Sequence, residues 1–154
     1  MIGVFKEFWG EIPVLIVVDS EKREDTLPVL TYMHGYTSAK EHNLPLAYLL
    51  AEKGYRVILP DCKYHGEREA DISAEDRQLQ FFNIVIQNIK DIAIIKEELD
   101  NRNLIQDGRF GLAGTSMGGI TTAGALTQYP WIKASAILRS EERRVGKECR
   151  SRWS

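Results

Sequence analysis

Gly114-Thr115-Ser116-Met117-Gly118 stands between a short apolar run, residues 109–113, and an amphipathic stretch, residues 120–128. A strand that turns abruptly into a helix forces its corner residue into a strained backbone conformation and lifts that residue's side chain above the end of the sheet. Glycines two positions to either side, here Gly114 and Gly118, keep Cβ atoms out of the crowded corner. The helix that follows points its first N–H groups toward the serine, where a negative oxygen would develop during acyl transfer. Strand, G-x-S-x-G turn and helix are all legible, and together they predict a nucleophile elbow with Ser116 at its tip.

Residues 4–9 and 12–18 are β-rich runs split by Gly10-Glu11, the pattern of a hairpin. Residues 27–33 form another apolar run, ending in His34-Gly35-Tyr36-Thr37-Ser38. Asn43 is placed to cap a helix with Pro45 in its first turn, Leu46, Leu49 and Leu50 on one face, and Gly54 as its stop. Residues 55–59 read as a short buried strand closed by Pro60-Asp61. Ser73-Ala74-Glu75-Asp76 resembles a capping box and is expected to open the longest helix, with a face of Leu79, Phe82, Ile86, Ile89, Ala93 and Leu99. Asp107-Gly108 turns the chain into the elbow strand, Tyr129-Pro130 ends the elbow helix, and residues 134–138 begin a further strand. Strands alternating with helical segments imply βαβ crossovers and an α/β architecture, a mostly parallel sheet with helices on both faces.

From Arg139 the periodicity stops, and the last sixteen residues hold one aliphatic side chain, Val145. That string resembles a translated sequencing adaptor, so residues 139–154 are expected to be a non-native, disordered tail. The tail carries six of the 20 basic residues and three of the 22 acidic ones, which leaves residues 1–138 with 14 basic, 19 acidic and a net charge of −5. A mildly acidic domain without a basic stripe argues against a nucleic-acid partner. Cys149 lies in the tail, leaving Cys62 without a disulfide partner, as in a reducing compartment. The apolar run 12–18 is far short of a membrane span and is followed by Asp19 and charged residues rather than a cleavage site, so a cytoplasmic protein without membrane contact is expected.

A hairpin followed by βαβ units, with motifs at three successive strand ends, resembles the α/β-hydrolase superfamily. His34-Gly35-Tyr36 matches its HG-type oxyanion loop after the third strand, Pro60-Asp61 with Tyr64-His65-Gly66-Glu67-Arg68 follows the fourth, and the elbow follows the fifth. The likeness covers residues 1–138 and is similar to the small bacterial esterases of the prolyl-oligopeptidase-like branch. It implies the N-terminal part of one hydrolase domain, incomplete because the last strands are missing. It also implies that Ser116 is the nucleophile of an acyl-enzyme mechanism, with the backbone N–H groups of Tyr36 and Met117 as oxyanion donors. His34, Gly35 and His65 are then candidates to line the pocket. The implied substrate is a small carboxylic ester, or a short acyl or peptide substrate if the protein is a serine peptidase or acyl-peptide hydrolase of the same fold.

The general base is the gap in this reading. In this fold the acid and the histidine follow the serine, yet His34, His42 and His65 all precede Ser116, and the acidic residues after it, Glu141, Glu142 and Glu148, lie in the tail. Truncation before the acid and base explains this better than a non-catalytic binding protein on a hydrolase fold. Residues 1–154 made alone are therefore expected to be poorly soluble, with an uncovered edge strand, and not to turn over esters. No cofactor is expected, because Gly111, Gly114, Gly118 and Gly119 match neither G-x-G-x-x-G nor a G-K-[ST] loop. No metal is expected either, since the histidines lack paired ligand spacing.

Overall fold

The segment Ile12-Pro13-Val14-Leu15-Ile16-Val17-Val18 is apolar at every position, as a strand covered on both faces must be. In the computed structural model, which describes residues 1–69 and 71–139, it forms β2 (Ile12–Asp19) and is buried from Ile12 to Val18. Its hairpin partner β1 (Ile2–Trp9) pairs antiparallel with Trp9 opposite Ile12, the two strands joined by Gly10-Glu11 as expected. β1 has exposed alternate positions because it is the sheet's edge.

β3 (Leu27–Met33), β4 (Arg56–Pro60), β5 (Ile105–Thr115) and β6 (Ala134–Leu138) complete a six-stranded sheet in the order β1-β2-β4-β3-β5-β6. β3 pairs parallel with both β4 and β5, β5 pairs parallel with β6, and β2 joins β4 antiparallel. One face is covered by α1 (Leu44–Glu52), whose Ala47 and Ala51 pack with Leu15, Val17, Tyr32, Val57 and Leu59. The other carries α3 (Phe81–Asn101) and α4 (Met117–Gln128), packed with Trp9, Ile12, Val14, Ile58 and Phe110. The sheet class and the helices on both faces follow the sequence reading.

Several local details differ from it. Ser73 does cap a helix, its hydroxyl accepting from Asp76 N at 3.0 Å, but that helix is the short α2 (Ala74–Leu79), and the chain breaks at Gln80 before α3 begins. Asp107-Gly108 lies inside β5 rather than ahead of it. The register against β3 jumps there, from Leu27 opposite Ile105 to Val29 opposite Phe110, and Asp107 and Gly108 both take positive φ.

The buried face of α3 is also rotated from the predicted one. Ile89 and Leu99 of the predicted face are buried, but Leu79, the last residue of α2, and Phe82 and Ile86 are 81%, 73% and 52% exposed, and Ile84, Val85, Asn88, Asp91, Ile92 and Ile95 also face inward. Polar residues on the inner face misled the periodicity. Asn88 accepts from Lys63 N, and Asp91 takes Arg68 Nη1 at 2.7 Å and Gln87 Nε2 at 2.9 Å, so both are buried at little cost. In α1 the inner face is likewise small, Ala47 and Ala51, with Leu46 and Leu49 outside and Leu50 half-buried. Alanines let that helix lie close on the sheet; of the predicted face only Leu50 packs against the core, while Leu46 and Leu49 remain in solvent.

β6 is exposed at all five positions and forms the sheet edge among the described residues. The predicted tail lies outside the described residues from position 140 onward.

Candidate active site at the β5–α4 corner

Ser116 sits at φ 55°, ψ −114°, between the end of β5 and the first residue of α4. A non-glycine residue in such a conformation costs of order 1–3 kcal/mol and persists only where its surroundings over-determine it. Those surroundings are visible on every side. Ser116 N donates to Leu138 O of β6 at 3.0 Å, and Ser116 O accepts from Gly119 N and Ile120 N at 2.9 and 3.1 Å, which starts α4. The hydroxyls of Thr115 and Tyr32 are hydrogen-bonded to each other, tying the end of β5 to β3.

The flanking glycines are required by close approach. A Cβ on Gly114 would lie 2.1 Å from Gly118 O, and one on Gly118 would lie 2.0 Å from Met33 O. Both obstacles are backbone, so no rotamer change relieves them. Gly35 completes the corner from the opposite side, with its Cβ position 3.4 Å from Ser116 Cβ and 3.3 Å from Thr115 O. The loop after β3 and the corner after β5 are therefore in contact. Met117 is the first residue of α4, where an N–H has no intrahelical acceptor.

The three histidines divide by role. His34 is buried: its Nε2 accepts from Cys62 N at 3.0 Å and its Nδ1 donates to Gly35 O at 2.8 Å. His65 is equally buried, with Nε2 accepting from Thr37 N at 2.9 Å and Nδ1 donating to Lys63 O at 2.8 Å. With both nitrogens of each ring engaged by backbone, neither is free to take a proton from Ser116. His42 is exposed and bonds Ser38 Oγ at 2.7 Å. Burial pushes His34 down to about 4, outweighing the bond to Gly35 O, and burial also lowers His65.

A test of this arrangement follows from linkage. Unfolding exposes His34 to water, where it binds a proton near 6.5, while the folded protein resists protonation down to about 4. The contribution of His34 to folding stability is therefore complete above pH 6.5 and is lost between 6.5 and 4, by about 3 kcal/mol. Urea unfolding of the wild type and of His34→Gln at pH 8 and pH 4 is expected to show that much less acid sensitivity in the variant. An equal pH dependence in the two proteins would show that His34 titrates normally in the fold.

Sequence reading assigned no role to the charges beneath the loop. Lys40 is fully buried, with Nζ 2.6 Å from Asp61 Oδ2, 2.6 Å from Glu67 Oε2 and 3.1 Å from Glu41 Oε2. Burial alone would depress its ammonium, but the bonds to Asp61, Glu67 and Glu41 outweigh it and hold the group protonated. Asp61 Oδ1 also accepts from Lys40 N at 3.0 Å and Oδ2 from Glu67 N at 3.0 Å. Asp61 carried a detectable signal, an acid directly after a buried strand and five residues before a glycine. Lys40 carried none. A cavity of about 380 Å³ lined by Pro28, Leu30, Tyr55, Arg109 and Phe110 lies at the opposite ends of these strands, away from Ser116.

No protein-family model matches the chain. It superposes on TT1662 from Thermus thermophilus with a TM-score of 0.75 at 22% identity, covering 91% of this chain and 58% of that one. On the Pyrococcus furiosus esterase Pf2001 the TM-score is 0.63 at 18% identity, covering 88% and 50%. The chain has the α/β-hydrolase fold. Within that fold the elbow at Ser116 and the HG loop at His34 occupy neighbouring strand ends, β5 and β3, at the carboxyl edge of the parallel strands. In sequence the chain is 49% identical over 138 residues to "Putative esterase YitV" of Bacillus subtilis (strain 168) and 30% identical over 138 residues to "Esterase YjfP" of Escherichia coli (strain K12). Each match takes in 90% of this chain, which spans about half the length of these relatives, 54% and 55%. Among the described residues, no helix of this hydrolase fold is long and apolar enough to cross a membrane.

Proposed function

We propose that this chain is the nucleophile-bearing part of a longer serine hydrolase acting on carboxylic esters. The observation that carries the reading is the conformation of Ser116, a strained corner with the HG loop packed against it. The likeness to two proteins named as esterases supports esters over other acyl substrates.

In this mechanism Ser116 Oγ attacks the ester carbonyl and gives its proton to a histidine base. The tetrahedral oxyanion is held by the N–H groups of Met117 and Tyr36. Collapse expels the alcohol, which takes the proton from the base, and leaves an acyl group on Ser116. Water then releases the carboxylic acid by the same steps in reverse order. The base and its carboxylate are contributed by sequence that the longer relatives have and this chain does not span. No histidine follows Ser116 here, and His34 and His65 have both ring nitrogens committed to backbone.

A fluorophosphonate probe tests the reading. Applied to a protein extended to the length of the relatives, it should label Ser116 covalently, and residues 1–154 alone should neither label at a comparable rate nor turn over p-nitrophenyl acetate. A silent extended protein would favour a binding module on the same fold. Rapid turnover by residues 1–154, abolished by Ser116→Ala, would show that the base lies within this chain.

A further inference from the structure

The loop that carries Gly35 and Tyr36 is tied to the segment after β4 at three points. His34 Nε2 takes Cys62 N, Thr37 N donates to His65 Nε2, and Lys40 N with Lys40 Nζ donates to Asp61. The middle tie holds a residue at positive φ. Thr37 lies at φ 67°, a left-handed conformation that a β-branched side chain adopts only under constraint. That conformation lets Ser38 N return to Gly35 O at 3.1 Å, where it joins His34 Nδ1 at 2.8 Å. Gly35 O is thus held by two donors, and because a trans peptide is planar, the Tyr36 N–H is turned the opposite way.

We propose that His65 is a positioning residue for the oxyanion loop: by accepting the Thr37 N–H it locks the 35–38 turn and so aims the Tyr36 N–H at a substrate oxygen on Ser116. This rests on the reading of Ser116 as nucleophile. The geometry around His65 is built to keep that nitrogen in place. The His65 backbone N–H donates to Cys62 O at 3.0 Å, its Nδ1 donates to Lys63 O, and its ring packs on Tyr36 and His34 with centroids 5.4 and 5.3 Å away. The next residue, Gly66, is at φ 54°, and its Cβ position is 2.1 Å from Asp61 Oδ1, so only glycine fits against the carboxylate that also holds Lys40. Asp61 therefore anchors both ends of the brace, the loop at Lys40 and the histidine's own turn at Gly66.

Two conservative variants separate positioning from mere packing. In His65→Gln the side-chain carbonyl reaches the place of Nε2 and can accept from Thr37 N. In His65→Asn the shorter amide reproduces only the Nδ1 contact. Both are measured in the extended protein against wild type, for hydrolysis of p-nitrophenyl butyrate and for inhibition by an alkyl trifluoromethyl ketone, whose serine adduct places an alkoxide in the oxyanion hole. H65N is expected to lose about 100-fold in kcat, the usual effect of one lost oxyanion donor. Its KM should stay within about threefold and its ketone Ki should weaken in step with kcat, because the lost contact exists only in the transition state. H65Q should keep kcat and Ki within about tenfold of wild type, as expected when the acceptor is restored.

A folded H65N that matches H65Q in kcat and Ki overturns the proposal, and so does a loss shared equally between kcat and KM. If H65N does not fold, H65Q decides: ketone inhibition within tenfold of wild type upholds the role, and a hundredfold weaker Ki overturns it. Ser116→Ala in the same protein keeps the two readings apart. If that variant still hydrolyses the ester, the nucleophile assignment has failed. If it is dead and H65N is unaffected, only the role of His65 has failed.

Discussion

Ser116→Ala in the extended protein is expected to lower kcat for a short-chain p-nitrophenyl ester by on the order of 10⁵–10⁶-fold, because removing the nucleophile of a triad costs about as much as removing the whole triad. The residual rate, about 10³-fold above water, would come from the oxyanion donors and binding. The same position should show the opposite effect on stability. Ser116 is held at φ 55°, a region that glycine enters without steric cost. Ser116→Gly should therefore be equally inactive yet more stable than wild type, by about 1 kcal/mol. Thermal unfolding of the two variants beside wild type checks this. A Gly variant less stable than the Ala variant would mean that the corner is not strained and that Ser116 is an ordinary turn residue.

Gly118→Ala is expected to cost about 4 kcal/mol or more, at the upper end of overpacking effects. The added methyl would sit 2.0 Å from Met33 O, 2.6 Å from Met33 C and 2.8 Å from His34 O, all backbone atoms of β3 and its loop. α4 would have to move off the sheet, and Ser116 and the HG loop would separate with it. A domain of ordinary stability has only about 5–15 kcal/mol in hand, so low soluble yield and a large drop in Tm are the expected readouts. Gly124→Ala on the same helix is the control. Its methyl meets only the Ile89 side chain, Cδ1 at 2.7 Å and Cγ1 at 3.7 Å, and the near atom is a side-chain end that can rotate away. The gain in helix propensity, close to 1 kcal/mol, offsets most of that adjustment. Equal destabilisation by the two substitutions would contradict the tight β3–α4 approach.

The elbow was readable because its requirements are local. A strand, two glycines and a helix within a short stretch dictate the corner whatever else the chain does, and Ser116 is found in the strained conformation that pattern predicts. The β1–β2 hairpin was readable for the same reason, with two β-rich runs, one of them continuously apolar, and two residues between them. The faces of α1 and α3 were readable only in part, at Leu50, Ile89 and Leu99. Periodicity counts apolar residues, and α3 buries Asn88 and Asp91 while leaving Phe82 and Ile86 in solvent. The buried polar side chains are acceptable because Lys63 N and Arg68 arrive from the segment after β4 to bond them, with Gln87 adding a bond from the preceding turn of α3.

Arg56 illustrates the same limit at the opposite end of the strands. A buried arginine at the start of an apolar strand is unreadable in sequence, yet its guanidinium donates to Leu104 O at 2.7 Å, Arg23 O at 2.7 Å and Asp25 O at 3.0 Å, stapling the loops below the sheet. These partners lie 31 to 48 residues away along the chain.

Local backbone chemistry in the amino-acid order was thus enough to specify the α/β class, the parallel core of the sheet and the strained corner at Ser116. The assignment of the three histidines needed the folded molecule. His34 and His65 stand in motifs that suggest chemistry, and in the sequence either could line a pocket. Only the packing of the 34–40 loop on the 61–67 segment shows both rings clamped between backbone groups, with Asp61 and Lys40 fixing the clamp. A titratable side chain acquires its role from which of its atoms are already bonded, and those bonds form between segments that only tertiary structure brings together.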